Sequence, residues 1–263
     1  MTQVLHYSVS EIAPYINWAY FYHAWHTTAE KSPELANDAA AVLAEMDGHI
    51  QTHALVGLFT ANGDNEDIVL SDGTRLPMLR QQRGSTCFCW ADFLPPLGSG
   101  QTDMLGLFAC SVDEKMEQAH PDDEYRHMLC QTLADRLAEA TAECMHKEVR
   151  CRLWGYSRDE QLSVEELFHE QYIGCRPAVG YPSLPDQSLN FIIDQLIDIG
   201  SIGIRLTESG AMRPHASVSG LLFAHPQACH FAIGPIGIDQ IQDYARRRGL
   251  PITMVRRFLA ANL

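Results

Sequence analysis

No stretch of this sequence keeps about twenty apolar residues together, the length that a helix needs to cross a bilayer. The longest apolar windows, Ala54–Phe59 and Phe191–Ile204, are short or broken by Asp194 and Asp198, so no membrane span is expected. The N-terminus, Met-Thr-Gln-Val-Leu-His-Tyr-Ser, has no basic start, no apolar core and no small-residue cleavage site, and the expected location is the cytoplasm. Positive charge is scarce. Nineteen Lys and Arg against 33 Asp and Glu leave a formal net charge of −14 at pH 7, which repels a polyanion and argues against nucleic acid as a partner. Also missing are a Gly-rich phosphate loop, a Gly-x-Ser-x-Gly elbow and a nucleophile beside an evident base. Neither covalent nor ordinary acid–base catalysis is written in the chain.

What is present suits a folded core. Hydrophobic residues make up 46% of 263 residues, and a chain of this length buries roughly 70–75% of its unfolded surface. The eight cysteines are scattered through apolar segments of a chain that needs no cross-links, which reads as reduced, buried thiols. Ser8 and Glu11 resemble a capping box ahead of a first helix that runs into the aromatic stretch Trp18–Trp25. Ser32 and Pro33 open a second helix, on which Leu35, Ala39, Val42, Leu43 and Met46 recur at helical spacing. Strands are expected at Ala54–Thr60, Asp67–Leu70, Arg75–Leu79, Cys87–Phe93 and Asp103–Ser111, with a hairpin turn at Asp72-Gly73.

After Pro121, apolar steps of three and four from Tyr125 to Cys144 predict a long helix. Ser163 and Glu166 mark another capping box, and Leu189–Ile197 a further helix. Two strands are expected near Ser217–Ala224 and Cys229–Ile233, then a helix from Asp239 to Gly249 and a short one after Pro251. Strand-rich and helix-rich stretches are segregated, so the fold expected is α+β with an antiparallel sheet, in one domain over residues 1–263.

Few motifs carry chemistry. Asp47-x-His49 looks like the start of a cobalamin-ligating Asp-x-His-x-x-Gly pattern, but Thr52 stands where glycine is needed and no ligand is assigned. Cys87-x-Cys89 has no second pair at ligand spacing, and His169-Glu170 lacks the second His of a zincin helix. There remains Arg176-Pro177-Ala178-Val179-Gly180-Tyr181-Pro182. Its prolines hold the backbone extended, Gly180 admits a close approach to the main chain, and Arg176 presents a fork suited to a carboxylate. Taken alone, the run reads equally well as a rigid loop or as a ligand-binding one.

The same run resembles the Arg-x-x-x-Gly-Tyr hallmark of the activation, or reactivation, domain of cobalamin-dependent methionine synthase. Further resemblances follow in order: Tyr15-Ile16-Asn17-Trp18 with Trp25, Val56-Gly57-Leu58-Phe59 with Ala61-Asn62, Ala91-Asp92-Phe93, and Leu133 through Ala140. Trp154-Gly155-Tyr156, Leu206-Thr207-Glu208-Ser209, Ala216 through Gly220 and Asp243 through Arg247 complete them. The resemblance implies a C-shaped α+β domain that binds S-adenosylmethionine in a shallow groove. There the methyl group is presented to inactive cob(II)alamin, held by a cobalamin-carrying methionine synthase partner, while a flavodoxin-like reductant supplies an electron.

By position, the resemblance implies that Arg176 pairs with the methionyl carboxylate while Ala178, Gly180 and Tyr181 line the ligand. Glu139 and Glu170 become candidates to meet its ammonium or sulfonium charge, Leu222 and Phe223 occupy a later ligand-contacting pair, and Asp135 is the candidate for the partner interface. Asn17 stands where the family has a ligand-contacting Asp, and Gln187 replaces a His. With no homocysteine, folate or cobalamin module in the sequence, the expectation is a free-standing activation subunit in methionine biosynthesis, inactive alone and holding no metal of its own. The rivals are a non-catalytic S-adenosylmethionine-binding protein and a reductive activator of another corrinoid protein.

Overall fold

The computed structural model describes residues 2–263. It opens with strand β1 (Thr2–Ser8), which has no counterpart in the sequence reading because its apolar positions do not alternate cleanly. In helix α1 (Val9–Ile12) the expected capping box forms: the Ser8 hydroxyl accepts from the Glu11 N–H at 3.3 Å, and the Glu11 carboxylate accepts from the Ser8 N–H at 2.8 Å. The first helix does not run on as expected. Pro14 lies in a tight turn, Ala13–Tyr15, and α2 (Trp18–Ala24) restarts with Asn17 as its N-cap. Helix α3 (Pro33–Met46) buries the five apolar residues read from its periodicity.

Strands β2 (Gln51–Asp64), β3 (Asp67–Leu70) and β4 (Arg75–Pro77) follow, then β5 (Asp103–Val112). The expected strand at Cys87–Phe93 is instead a turn of 3₁₀ helix at Trp90–Phe93, because Asp92 folds back to accept the Cys89 N–H at 2.9 Å. Beyond α4 (Glu114–Glu117) and α5 (Glu124–Glu148) come α6 (Val164–Phe168), with its Ser163/Glu166 capping box, and α7 (Leu189–Ile197). A small hairpin, β6 (Arg205–Leu206) with β7 (Met212–Arg213), precedes β8 (Ser217–Leu222). Cys229–Ile233 is irregular loop rather than strand. Helices α8 (Ile238–Arg248) and α9 (Ile252–Phe258) close the chain.

The main sheet is antiparallel throughout, in the order β4-β3-β2-β5-β8. Strand β2 is long enough for one of its edges to serve two partners, β1 against its first half and β3 against its second. Side chains alternate between two faces, as a pleated strand requires. Ala54, Val56, Phe108, Cys110 and Leu222 pack under Ala142 and Met145 of α5 and Val149 just beyond it. Leu55, Leu107, Ala109 and Leu221 pack against Ile193 and Ile197 of α7. The earlier part of α5 serves a different core, where Leu129, Leu133 and Leu137 meet Ile12, Phe21 and α3. Helix α5 therefore ties the N-terminal helices to the sheet, and the fold is the α+β arrangement expected. Among the described residues no helix is long and apolar enough to cross a membrane.

Candidate functional site

Helix α5 supplies one wall of a groove. Arg136, Glu139, Ala140 and Glu143 fall at steps of three and four, so they share one helix face, and all four line the groove. The opposite wall is the Arg176 run, which lies antiparallel to β8. Cys175 and Phe223 exchange both backbone bonds at 2.9 Å, Leu221 donates to the Pro177 carbonyl at 3.0 Å, and Val179 donates to Ser219 at 2.9 Å. Pro177 is tolerated because only its carbonyl is used in this pairing. Gly220 is required because a Cβ there would collide with that same carbonyl. Gly180 then turns the chain at a φ of 91°, a conformation that favours glycine.

The groove has a volume of about 570 Å³, within the range of small-molecule sites. Tyr15, Asn17 and Tyr20 also line it, as do Phe168, Glu170, Tyr172, His230, Phe231 and Ala232. The Arg176 side chain, 13% exposed, donates Nη2–H to Glu143 Oε2 at 3.2 Å and lies over the Phe108 ring. Burial works against its charge but is outweighed by Glu143, Tyr172 and Glu139, which hold the guanidinium firmly ionised. Tyr181 donates its hydroxyl to Glu139 Oε1, and burial together with that carboxylate pushes the phenol pKa up. Glu170 lies 3.4 Å from His230 Nε2. Burial lowers the His230 pKa and Arg176 adds to the effect, while Glu170 opposes both.

A buried polar layer lies behind the groove. A π-helical turn at Val149–Leu153 ends α5 and carries Arg150 inward, where it is fully buried and paired with Glu160 through two bonds of 2.7 and 2.8 Å. Its guanidinium sits 4.0 Å over the centre of the Tyr172 ring, whose other neighbour is His146, edge-on at 4.9 Å. His146 has no exposure and, among the described residues, no partner for either ring nitrogen. Burial, with Arg150 and Arg176 nearby, holds its pKa well below the usual imidazole range.

The structure brings Asn17, Glu139, Glu170, Arg176, Ala178 and Tyr181 onto the groove from four separate stretches of chain, with Gly180 in the adjoining turn. Leu222 and Phe223, expected as a ligand-contacting pair, are not among the residues that line this groove. Both are buried to 1% or less: Leu222 points under α5, and Phe223 stacks on Trp90 at 5.0 Å. Leu222 pairs with Gly106 of β5, Phe223 pairs with Cys175, and both side chains fill the core. Phe231 and Ala232, together with Glu143 and Tyr172, do reach the groove, and the sequence reading selected none of these four. Ile233 anchors the Phe231 loop by donating to the Pro182 carbonyl at 2.9 Å. Asp135 is half-buried one turn before Glu139, and burial pushes its carboxyl pKa up against the pull of His215 and Arg136.

An arginine fork opposite carboxylates, in a groove with aromatic walls, suits a zwitterionic ligand that carries extra positive charge. The family model described as vitamin B12 dependent methionine synthase, activation domain, matches residues 8–249. A solved crystal structure, that of the MetH reactivation domain bound to AdoHcy, is similar with a TM-score of 0.94 and 37% sequence identity, covering 100% of this chain and 90% of that one. The chain belongs to the activation-domain family of vitamin B12-dependent methionine synthase.

Proposed function

We propose that the groove binds S-adenosylmethionine and presents its methyl group to inactive cob(II)alamin carried by a methionine synthase module, with a flavodoxin-like protein supplying one electron. The observation that carries this reading is the position of Arg176, whose guanidinium borders a groove that also holds Glu139 and Glu170. S-Adenosylmethionine combines a carboxylate with an ammonium and a sulfonium. Arg176 suits the first, and the two glutamates suit the others. The similarity to a reactivation domain bound to AdoHcy, the product left when that methyl group departs, supports the same ligand.

The ligand supplies the transferable methyl, and the partner's corrinoid supplies the acceptor. The work left to this chain is positioning: Arg176 would hold the amino-acid end, and Tyr181 and Phe231 would flank the bound ligand. Asp135, half-buried on α5 one turn before Glu139, is the candidate contact for the docked partner. This division calls for no nucleophile paired with a base.

The test follows the cob(II)alamin absorbance of a methionine synthase module, with reductant and S-adenosylmethionine present, as it converts to methylcobalamin. Conversion should require this protein. Arg176→Ala should weaken S-adenosylmethionine binding by about tenfold or more, the usual size of a charge-assisted contact. Asp135→Asn should slow conversion without changing ligand affinity. Equal conversion in the absence of the protein, or methylation of a small acceptor by the protein alone, would overturn the reading.

A further inference from the structure

We infer that Glu143 is a positioning residue: it holds the Arg176 guanidinium from behind, in the orientation that receives a ligand carboxylate, and does not itself meet the ligand. The inference rests on the groove binding S-adenosylmethionine and goes one step deeper into that site.

Two glutamates one turn apart on α5 face the same groove, yet the structure gives them different surroundings. Glu139 is half-buried and accepts the hydroxyl of Tyr181, a side chain that is 50% exposed. The Glu143 side chain is only 11% exposed; one oxygen is taken by Arg176, and the other is inaccessible and without a partner. Although Glu143 borders the groove, one of its carboxylate oxygens is committed to Arg176 and the other is closed to solvent. His146 is neutral and Arg150 is matched by Glu160, so Arg176 is the cation that balances the Glu143 charge.

The constraint on Arg176 follows from its own atoms. Nε is buried with no partner, Phe108 lies beneath the guanidinium plane, and Nη2 gives one of its hydrogens to Glu143. What remains for the groove is the outer edge, Nη1 with the second hydrogen of Nη2. A carboxylate bound through two parallel N–H groups needs that edge aimed correctly. Among the described residues, the Glu143 bond is the one hydrogen bond from protein to the guanidinium that sets this aim. Arginine remains ionised whether or not the bond is made, so losing it changes orientation and leaves the charge in place.

The experiment compares two ligands by calorimetry: S-adenosylmethionine and its decarboxylated analogue, which keeps the ammonium and the sulfonium. Glu143→Gln should weaken S-adenosylmethionine about tenfold and leave the decarboxylated analogue unchanged. In an Arg176→Met background, the same substitution should have no further effect on either ligand. Equal loss for both ligands would mean that Glu143 meets the ligand's positive charge directly. Tighter binding of S-adenosylmethionine would mean that Glu143 competes with the ligand for Arg176. Either result overturns the inference. Should Glu143→Gln melt early, Glu143→Asp keeps the charge but shortens the reach, and it should show a smaller loss with the same ligand selectivity; loss on both ligands would again overturn the inference. A parent protein that binds neither ligand would instead refute the function proposed for the groove.

Discussion

Tyr181 donates its hydroxyl across the groove to Glu139, Oη to Oε1 at 2.5 Å, joining the turn after the Arg176 run to the middle of α5. The carboxylate is thereby pinned at the groove while its other oxygen is left for a cation. Glu139→Gln should weaken S-adenosylmethionine binding by about fivefold, the upper range for a partly exposed ion pair. Calorimetry at low and high ionic strength checks the origin of the loss. If it is electrostatic, the difference between parent and variant shrinks as salt rises.

Asn17 contributes as a cap and as part of the groove wall. Its side-chain oxygen accepts the Ala19 N–H at 3.2 Å at the start of α2. Aspartate caps a helix as well as asparagine, so Asn17→Asp preserves α2 and adds an anion where a cationic ligand is expected. The substitution should tighten S-adenosylmethionine by up to about 1 kcal/mol, or roughly fivefold, with an unchanged melting temperature. Weaker binding would show that the amide itself is what the ligand uses.

His146 sets an acid limit on stability. Burial, with Arg150 and Arg176 nearby, lowers its folded pKa well below the ordinary value, whereas the unfolded chain takes up a proton near pH 6.5. Below that pH the unfolded state binds more protons than the folded one, so this contribution to stability is complete above about pH 6.5 and is lost progressively as pH falls. Urea unfolding between pH 7.5 and 5 should therefore show a decline that His146→Leu flattens by up to one proton in slope. Identical slopes in parent and variant would place the acid sensitivity elsewhere.

Much of the fold was legible because local rules acted alone. The α7 limits follow from apolar spacing, and the capping boxes at Ser8 and Ser163 formed as read. Misreadings fell where tertiary partners take over the backbone. Cys229–Ile233 alternates like a strand, but Gln81 donates its side-chain amide to the Ala232 carbonyl and Ile233 donates to Pro182, so the segment is held as a loop against the groove. Glu143 was invisible for a different reason. A glutamate on a long helix reads as solvated until the fold shows Arg176, 33 positions away, packed against it. Tyr172 and His146 likewise gain meaning only through Arg150, which a local π-helical turn directs inward.

The different placements of Phe223 and Phe231 can be tested by substituting each in turn. Both rings touch Trp90, with centroids 5.0 and 4.7 Å away, yet Phe223 is 1% exposed within the core while Phe231 also lines the groove. Phe223→Ala removes a fully buried ring and should cost about 3–5 kcal/mol of stability, seen as an early urea midpoint. Saturating S-adenosylmethionine should recover part of that loss by mass action. Phe231→Ala opens an already half-exposed position, so its stability loss should be smaller, while removal of an aromatic wall worth about 0.5–1.5 kcal/mol weakens ligand binding by roughly two- to tenfold. Phe231→Tyr should restore affinity, since it retains the ring. If Phe223→Ala lowered affinity more than Phe231→Ala at a temperature where both variants are folded, the pair at Leu222 and Phe223 would be the ligand contact, and the loop carrying Phe231 would be only its support.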